Sequence, residues 1–271
     1  MVSRFLIAFF LFVFCSIISL SVCAQSAKID SGYMRSFDGT KIYYEVTGKG
    51  EAVILVHGFI VSGQSWKRTA LYNDLISAGY KVVILDQRGN GRSDKPHDST
   101  AYDNDAEAKD IMGLTKTLGI KKYSAVGYSR GAIIVSRLLV LDKNIEKGVI
   151  GGMGTAFTNP EWPRRIMFYH ALRGDDVPEL KAMVENVKKQ GLDQMALAYL
   201  QRSQPSTSRE ELGKIKKPVL VICGDHDDDN VLAKDLSTLI PGSAFASTPG
   251  VHNDASQTKE FSAAVISFLK R

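Results

Sequence analysis

The stretch Tyr123–Leu139, "YSAVGYSRGAIIVSRLL", places a serine between two glycines where an apolar run gives way to helical periodicity. Tyr123 to Tyr128 reads as a short buried strand, and the residues after Gly131 repeat apolar side chains at helical spacing. Between them, Gly127-Tyr128-Ser129-Arg130-Gly131 has the form G-x-S-x-G in a strand–turn–helix setting. Strand and helix approach so closely in such a turn that the positions two before and two after the serine must be small. A structural Gly-rich loop would explain the five residues alone. The strand and helix around them point instead to Ser129 as a nucleophile on a strained turn.

Outward from this stretch the chain repeats the same grammar. Short unbroken apolar runs, "AVILVHG", "KVVILDQRG", "GVIGG" and "PVLVICGD", alternate with segments of helical period such as "SWKRTALYNDLISAGY" and "AYDNDAEAKDIMGLTKTLGI". Runs of that kind are buried on both faces, as in a parallel sheet. The expected fold class is a doubly wound α/β domain, its sheet mostly parallel with helices on both faces. Upstream, "YMRSFDGTKIYYEVTG" alternates around Asp38-Gly39 and predicts a β-hairpin. Between "GVIGGMG" and "PVLVICGD" about sixty residues pass, far more than an ordinary connection. "EWPRRIMFYHALRG", "VPELKAMVENVKKQG" and "LDQMALAYLQRS" read there as three helices, an inserted cap over the carboxyl end of the sheet at about residues 155–217.

The first residues stand apart from this domain. Arg4 precedes an apolar run from Phe5 to Val22, after which the chain turns small and polar, the layout of a secretory signal. The expected organisation is a signal peptide over residues 1–24 and a mature domain over 25–271, exported to a periplasm or secreted. An uncleaved anchor and a lipidated Cys23 in "LSVC" are the competing fates; only in these would the protein touch a membrane. Cys223, in a strand-like run, reads as a small core residue. A net charge of +5 among scattered basic residues gives no footprint for nucleic acid.

A serine needs a base, and the base needs an orienting acid. Of the 5 histidines, His57 ends a strand ahead of Ser129, His97 lies in a polar loop, His170 in the cap and His226 in an acidic cluster. His252, in "STPGVHNDAS", sits late in the chain before the last helix, where a base following Ser and acid in sequence belongs. The acids of "CGDHDDDN" are Asp225, Asp227, Asp228 and Asp229. A calcium loop beginning at Asp225 fails, since its sixth position is Asn230 and its twelfth Leu236. No metal and no cofactor is expected.

With "HGF", "DQRGNGRSD", "GYSRG" and "GDHD" in order and His252 downstream, the chain resembles the α/β-hydrolase superfamily from about Tyr33 to its C-terminus. It is similar to the serine-nucleophile, esterase- and lipase-like branch with a helical cap. The resemblance implies that Asp227, three residues after Gly224, is the acid. It also implies that the backbone N–H groups of Phe59 and Arg130 form the oxyanion hole and that His57 is structural. Val251 stands directly before His252, where most relatives carry glycine. "RGNGRS" is read as a structural loop.

These expectations converge on an exported serine hydrolase acting on a small-molecule carboxylic ester or related acyl bond, through Ser129, His252 and Asp227. A lactone, a thioester, a carbon–carbon bond or cofactor-free peroxidation on the same residues remains open, as does a binding protein of low turnover. Serine in place of aspartate at the turn argues against dehalogenase and epoxide hydrolase chemistry. The side chain of Arg130 has two readings, a partner for a substrate carboxylate or a brace to an acid of the scaffold. Cap residues Trp162, Phe168 and Tyr169 are expected to bear on substrate choice.

Overall fold

The computed structural model of the chain describes residues 29–228 and 232–271. The leader expected over residues 1–24, and Asp229 with it, lie outside the described residues. Strands β1 (Ile29–Arg35) and β2 (Lys41–Thr47) form the hairpin around Asp38 and Gly39, with Arg35 opposite Lys41. Then come β3 (Ala52–Val56), β4 (Lys81–Leu85), β5 (Tyr123–Tyr128), β6 (Ile145–Gly151), β7 (Val219–Gly224) and β8 (Ala244–Thr248). They make one 8-stranded sheet in the order β1-β2-β4-β3-β5-β6-β7-β8. It is antiparallel where β2 meets β1 and β4, and parallel elsewhere.

The helices are α1 (Ala70–Ser77), α2 (Ala106–Thr117), α3 (Arg130–Leu141), α4 (Pro163–Arg173), α5 (Lys181–Lys189), α6 (Gln194–Arg202), α7 (Arg209–Gly213), α8 (Ala233–Leu239) and α9 (Lys259–Leu269). The unbroken apolar runs are explained by burial on two sides. Along β3, Ile54 and Val56 enter the core that α2, α3 and α8 close, whereas Val53 and Leu55 enter the core closed by α1 and α9. Each such side chain removed from water contributes about 1.5–3 kcal/mol. Among the described residues no helix is long and apolar enough to cross a membrane.

Helices α4, α5 and α6 share a small core of their own, built from Leu172, Val187, Leu197 and Leu200. It rests on Tyr102, with Phe59 and Ile60 packed against it, so the cap is seated on the loop that follows β3. Local chemistry sets its joints: Pro163 opens α4, and the carboxylate of Asp193 caps α6 by accepting from Ala196 N at 2.9 Å. The short α7 packs instead on α3 and α8, against the body of the domain.

The charged loop after β4 is internal. Arg88, fully buried, donates to both carboxylate oxygens of Asp110 at 2.7 and 2.6 Å and to Asp38 at 2.8 Å, tying α2 to the β1–β2 turn. Asp86 accepts from Gly63 N at 2.8 Å and Arg92 N at 2.7 Å. Both sets of contacts are structural, and they fix where the strand ends carrying the site come to lie.

Two glycine substitutions separate close approach from mere permissiveness. A Cβ on Gly127 would lie 2.2 Å from the carbonyl oxygen of Gly131, whereas one on Gly113, inside α2, meets nothing nearer than Met34 at 3.6 Å. Gly127→Ala is expected to lose upwards of about 2 kcal/mol in urea denaturation, and Gly113→Ala to gain about 0.5–1 kcal/mol from helix propensity.

Candidate active site

Ser129 sits at the junction of β5 and α3 with φ 54° and ψ −124°. That backbone is strained for any residue with a Cβ, and the surroundings hold it there. Ser129 N donates to Gly151 O at 2.8 Å, and Ala132 N to Ser129 O at 2.9 Å. The flanking glycines are sterically required: a Cβ on Gly131 would lie 2.1 Å from Val56 O, as one on Gly127 would strike Gly131 itself. The strand end and helix start are therefore in backbone contact, and the serine is lifted to the rim of the sheet.

His252 is carried on the loop after β8. Its Nε2 lies 2.9 Å from Ser129 Oγ, and its Nδ1 lies 2.9 Å from Oδ2 of Asp227 on the loop after β7. A carboxylate accepts, which places the imidazole proton on Nδ1 and leaves Nε2 as an acceptor for the serine hydroxyl. The Asp227 side chain is sealed from solvent and that of His252 is 20 % exposed. Tyr128 fixes the loop by donating its hydroxyl to His252 O at 2.7 Å, with the two rings 5.5 Å apart. As the variable second position of G-x-S-x-G, Tyr128 carries no sequence signal for this role.

The other acids after β7 lie elsewhere. Asp225 accepts from Gly250 N at 2.9 Å and pairs with His226, and Asp228 is exposed. The departure at Val251 is resolved one residue earlier: Gly250 takes φ 113°, supplying the unusual backbone turn, and exposed Val251 accepts from Asp254 N and Ala255 N. His97 pairs with Asp193 and His170 with Asp175, both away from Ser129. Cys223 is buried at the end of β7, where desolvation pushes its thiol up to about 11. Among the described residues no group of three or more His, Cys, Asp and Glu side chains is arranged to hold a metal.

His57 is a clamp. Its Nε2 accepts from Gln87 N at 3.0 Å, its Nδ1 donates to Gly58 O at 2.8 Å, and Gln87 Nε2 donates to His57 O at 2.6 Å. These bonds tie the loop after β3 to the loop after β4 and pin the segment leading into Phe59, which lines the same cavity as Ser129. Ile60, next along, has φ 62°, a costly conformation for a β-branched residue. Arg130 opens α3, so its N–H is one of the first-turn donors without an intrahelical acceptor. The Arg130 side chain turns into the scaffold. It forms a bidentate pair with Glu107 of α2, to Oε2 at 2.6 Å, and donates to Leu200 O of α6 at 2.9 Å. Glu107 lies 23 residues upstream, and nothing in its sequence surroundings marks it as a partner of the site.

Two cavities flank Ser129 and His252. One of about 200 Å³ runs past Val61, Trp66, Arg68 and Gln257. The other, about 180 Å³, lies under the cap among Ile133, Met153, Trp162, Phe168, Gln201 and Gln204. Phe59 lines both. Trp162 and Phe168 thus face the site, whereas Tyr169 packs within the cap, with Arg173 over its ring.

Comparison with known proteins agrees with this architecture. The family profile described as the alpha/beta hydrolase fold matches residues 51–184. A non-heme chloroperoxidase of Streptomyces lividans is 37% identical over 108 residues, which is 39% of this chain and 38% of that protein's length, so this chain matches well under half of it. A bifunctional esterase/perhydrolase of Acinetobacter calcoaceticus is 26% identical over 258 residues, covering 81% of this chain and 91% of that protein. The crystal structure of a bromoperoxidase from Bacillus anthracis superposes with a TM-score of 0.70 at 26% identity, covering 89% of this chain and all of the other. The chain belongs to the α/β-hydrolase superfamily.

The His57 clamp predicts a pH dependence of stability. Burial pushes this imidazole below its ordinary value of 6.5, with Asp86 and Glu107 opposing only in part. Below pH 6.5 the unfolded chain takes up a proton that the folded chain refuses, so stability present above that pH is lost as pH falls. Urea midpoints measured from pH 7.5 to 5 should fall faster for the native protein than for His57→Gln. The gap closes by up to about 1.4 kcal/mol per pH unit. Parallel curves would show that the fold does not hold His57 below its ordinary value.

Proposed function

We propose that this α/β-fold hydrolase is a serine hydrolase cleaving a carboxylic ester or related acyl bond. The observation that carries the reading is the continuous relay from Ser129 Oγ through His252 to Asp227, with both links at 2.9 Å. His252 Nε2 takes the Ser129 proton as Oγ attacks the acyl carbonyl. Negative charge then develops on the carbonyl oxygen, where the N–H groups of Phe59 and Arg130 receive it. Collapse of the tetrahedral intermediate expels the alcohol, to which His252 returns the proton. Water, deprotonated by His252, attacks the acyl-serine, and the acid and free Ser129 are released. Asp227 holds the imidazole in the tautomer that accepts at Nε2 and offsets its charge when protonated.

The relative named as an esterase/perhydrolase supports a second outlet for the same acyl-serine, in which hydrogen peroxide replaces water and a peracid leaves. Epoxide opening is disfavoured by the nucleophile. A serine would form an ether with the opened ring, a bond that water does not cleave under these conditions, whereas an aspartate forms a hydrolysable ester.

Fluorophosphonate labelling tests the nucleophile: modification of Ser129 in the folded protein is expected, and its absence would sink the reading. Ser129→Ala should abolish ester hydrolysis with the fold intact. Asp227→Asn should lower kcat by on the order of 10³–10⁴-fold, while Asp225→Asn and Asp228→Asn stay close to the native rate.

We further propose export, on the strength of the charged, apolar, then small-residue order of residues 1–24. Mass spectrometry of protein recovered from an exporting bacterial host should show a chain beginning near residue 25. A chain retaining Met1 and the apolar run would argue for an anchor.

A further inference from the structure

The cap-side cavity holds polar groups that the proposed chemistry leaves unused. Arg165 of α4 lines it. Its guanidinium donates to Arg202 O at 2.8 Å and to Pro160 O, which uses two of its five N–H groups. Its Nε is buried with no hydrogen-bond partner, and the side chain makes no ion pair among the described residues. Burial pushes its pKa below the ordinary arginine value, with only Glu161 opposing. Gln201 and Gln204 line the same cavity at 6% and 8% exposure, and neither amide has a partner among the described residues.

An unsatisfied buried polar group, as Arg165 Nε is here, costs about 1–3 kcal/mol, and the amides of Gln201 and Gln204 line the same cavity with no side-chain partner among the described residues. Arg130 and Arg164 reach the cavity too, but the charge of Arg130 is met by Glu107 and the guanidinium of Arg164 lies over the Phe168 ring at 5.5 Å. No acidic side chain is among the described residues lining it. Trp162 and Phe168 give it apolar walls, and a charged contact made against them is stronger than one in open water.

We propose that this cavity binds the carboxylate of an acidic ester, held by Arg165 with Gln201 and Gln204, so that the substrate class is an ester bearing a free carboxylate near the scissile bond. A half-ester of a dicarboxylic acid is one form, with the acid on the acyl side; an acyl ester of a hydroxy acid is the other, with the acid on the alcohol side. Both offer the planar acceptor that a guanidinium recognises. This inference rests on Ser129 being the nucleophile.

Two matched pairs of esters test it by kcat/KM. The first is monomethyl glutarate against methyl 5-methylhexanoate, and the second is 4-acetoxybutanoate against 4-methylpentyl acetate; in each the neutral member carries isopropyl in place of the carboxylate. A preference of about tenfold or more for the acid in at least one pair is expected. Arg165→Met should lose that preference by depressing the acid ester far more than the neutral one, and Arg165→Lys, with the charge but not the fork, should keep part of it. Gln204→Leu provides a variant that spares the carbonyl contacts of Arg165, and it too should erode the preference. No preference in either pair, or an equal loss on both members in every variant, overturns the proposal.

A binding measurement keeps this separate from the nucleophile assignment. Glutarate should produce a saturable change in tryptophan fluorescence, through Trp162, in Ser129→Ala as in the native protein, and Arg165→Met should abolish it. No response to glutarate in Ser129→Ala overturns the carboxylate site. Turnover failing on all four esters together with no fluorophosphonate labelling strikes the serine instead.

Discussion

The site depends on backbone packed against backbone, where Gly127 meets the carbonyl of Gly131 and Gly131 meets that of Val56. Three segments converge within that contact: the end of β5, the first turn of α3 and the end of β3. Because none of them can retreat, Ser129 is held at φ 54° and its hydroxyl is fixed relative to Gly58, whose added Cβ would lie only 3.5 Å from the serine Cβ. The position of the hydroxyl decides where His252 must stand, and Tyr128, from the same turn, anchors the histidine loop by its hydroxyl. Close packing of small residues therefore sets a geometry that hydrogen bonds then complete.

Around this contact the buried charges are paired rather than avoided. Arg88 with Asp110 and Asp38, and Arg130 with Glu107, each lie within the domain and join segments distant in sequence. Such pairs add little net stability, since desolvation offsets most of their attraction. What they add here is position. Removing one partner strands a charge in the interior, so the loops after β4 and β5 have few alternative arrangements.

Much of the fold and part of the site was legible in the sequence, for reasons that are local. Unbroken apolar runs report burial on two faces, and G-x-S-x-G reports a steric demand spanning five residues. The three cap helices were readable from Pro163, Gly174 and Gly191 as punctuation. Choosing Asp227 over Asp225 needed a family register, because adjacent carboxylates look alike until the loop conformation points one at the histidine. The fate of Arg130 was not readable, since its partner Glu107 sits on a different helix and its other acceptor is a main-chain carbonyl of the cap. Gln201 and Gln204 gave no signal either: on α6 and just beyond it, glutamine is ordinary, and only the folded cap turns them inward. The strained Ile60 was invisible for a related reason, as its side chain does not favour the backbone it adopts and the tertiary packing imposes it.

The bond from Arg130 to the carbonyl of Leu200 makes the cap and the elbow a single mechanical unit. The residue directly after Ser129 uses its side chain to fasten the roof. Helix α6 is thus the part of the cap that the serine turn holds directly. For anyone recombining domains, the same bond defines a compatibility rule. A foreign cap grafted onto this scaffold has to bring a main-chain acceptor to the place of Leu200, or the guanidinium loses its third ligand and the serine turn inherits the slack.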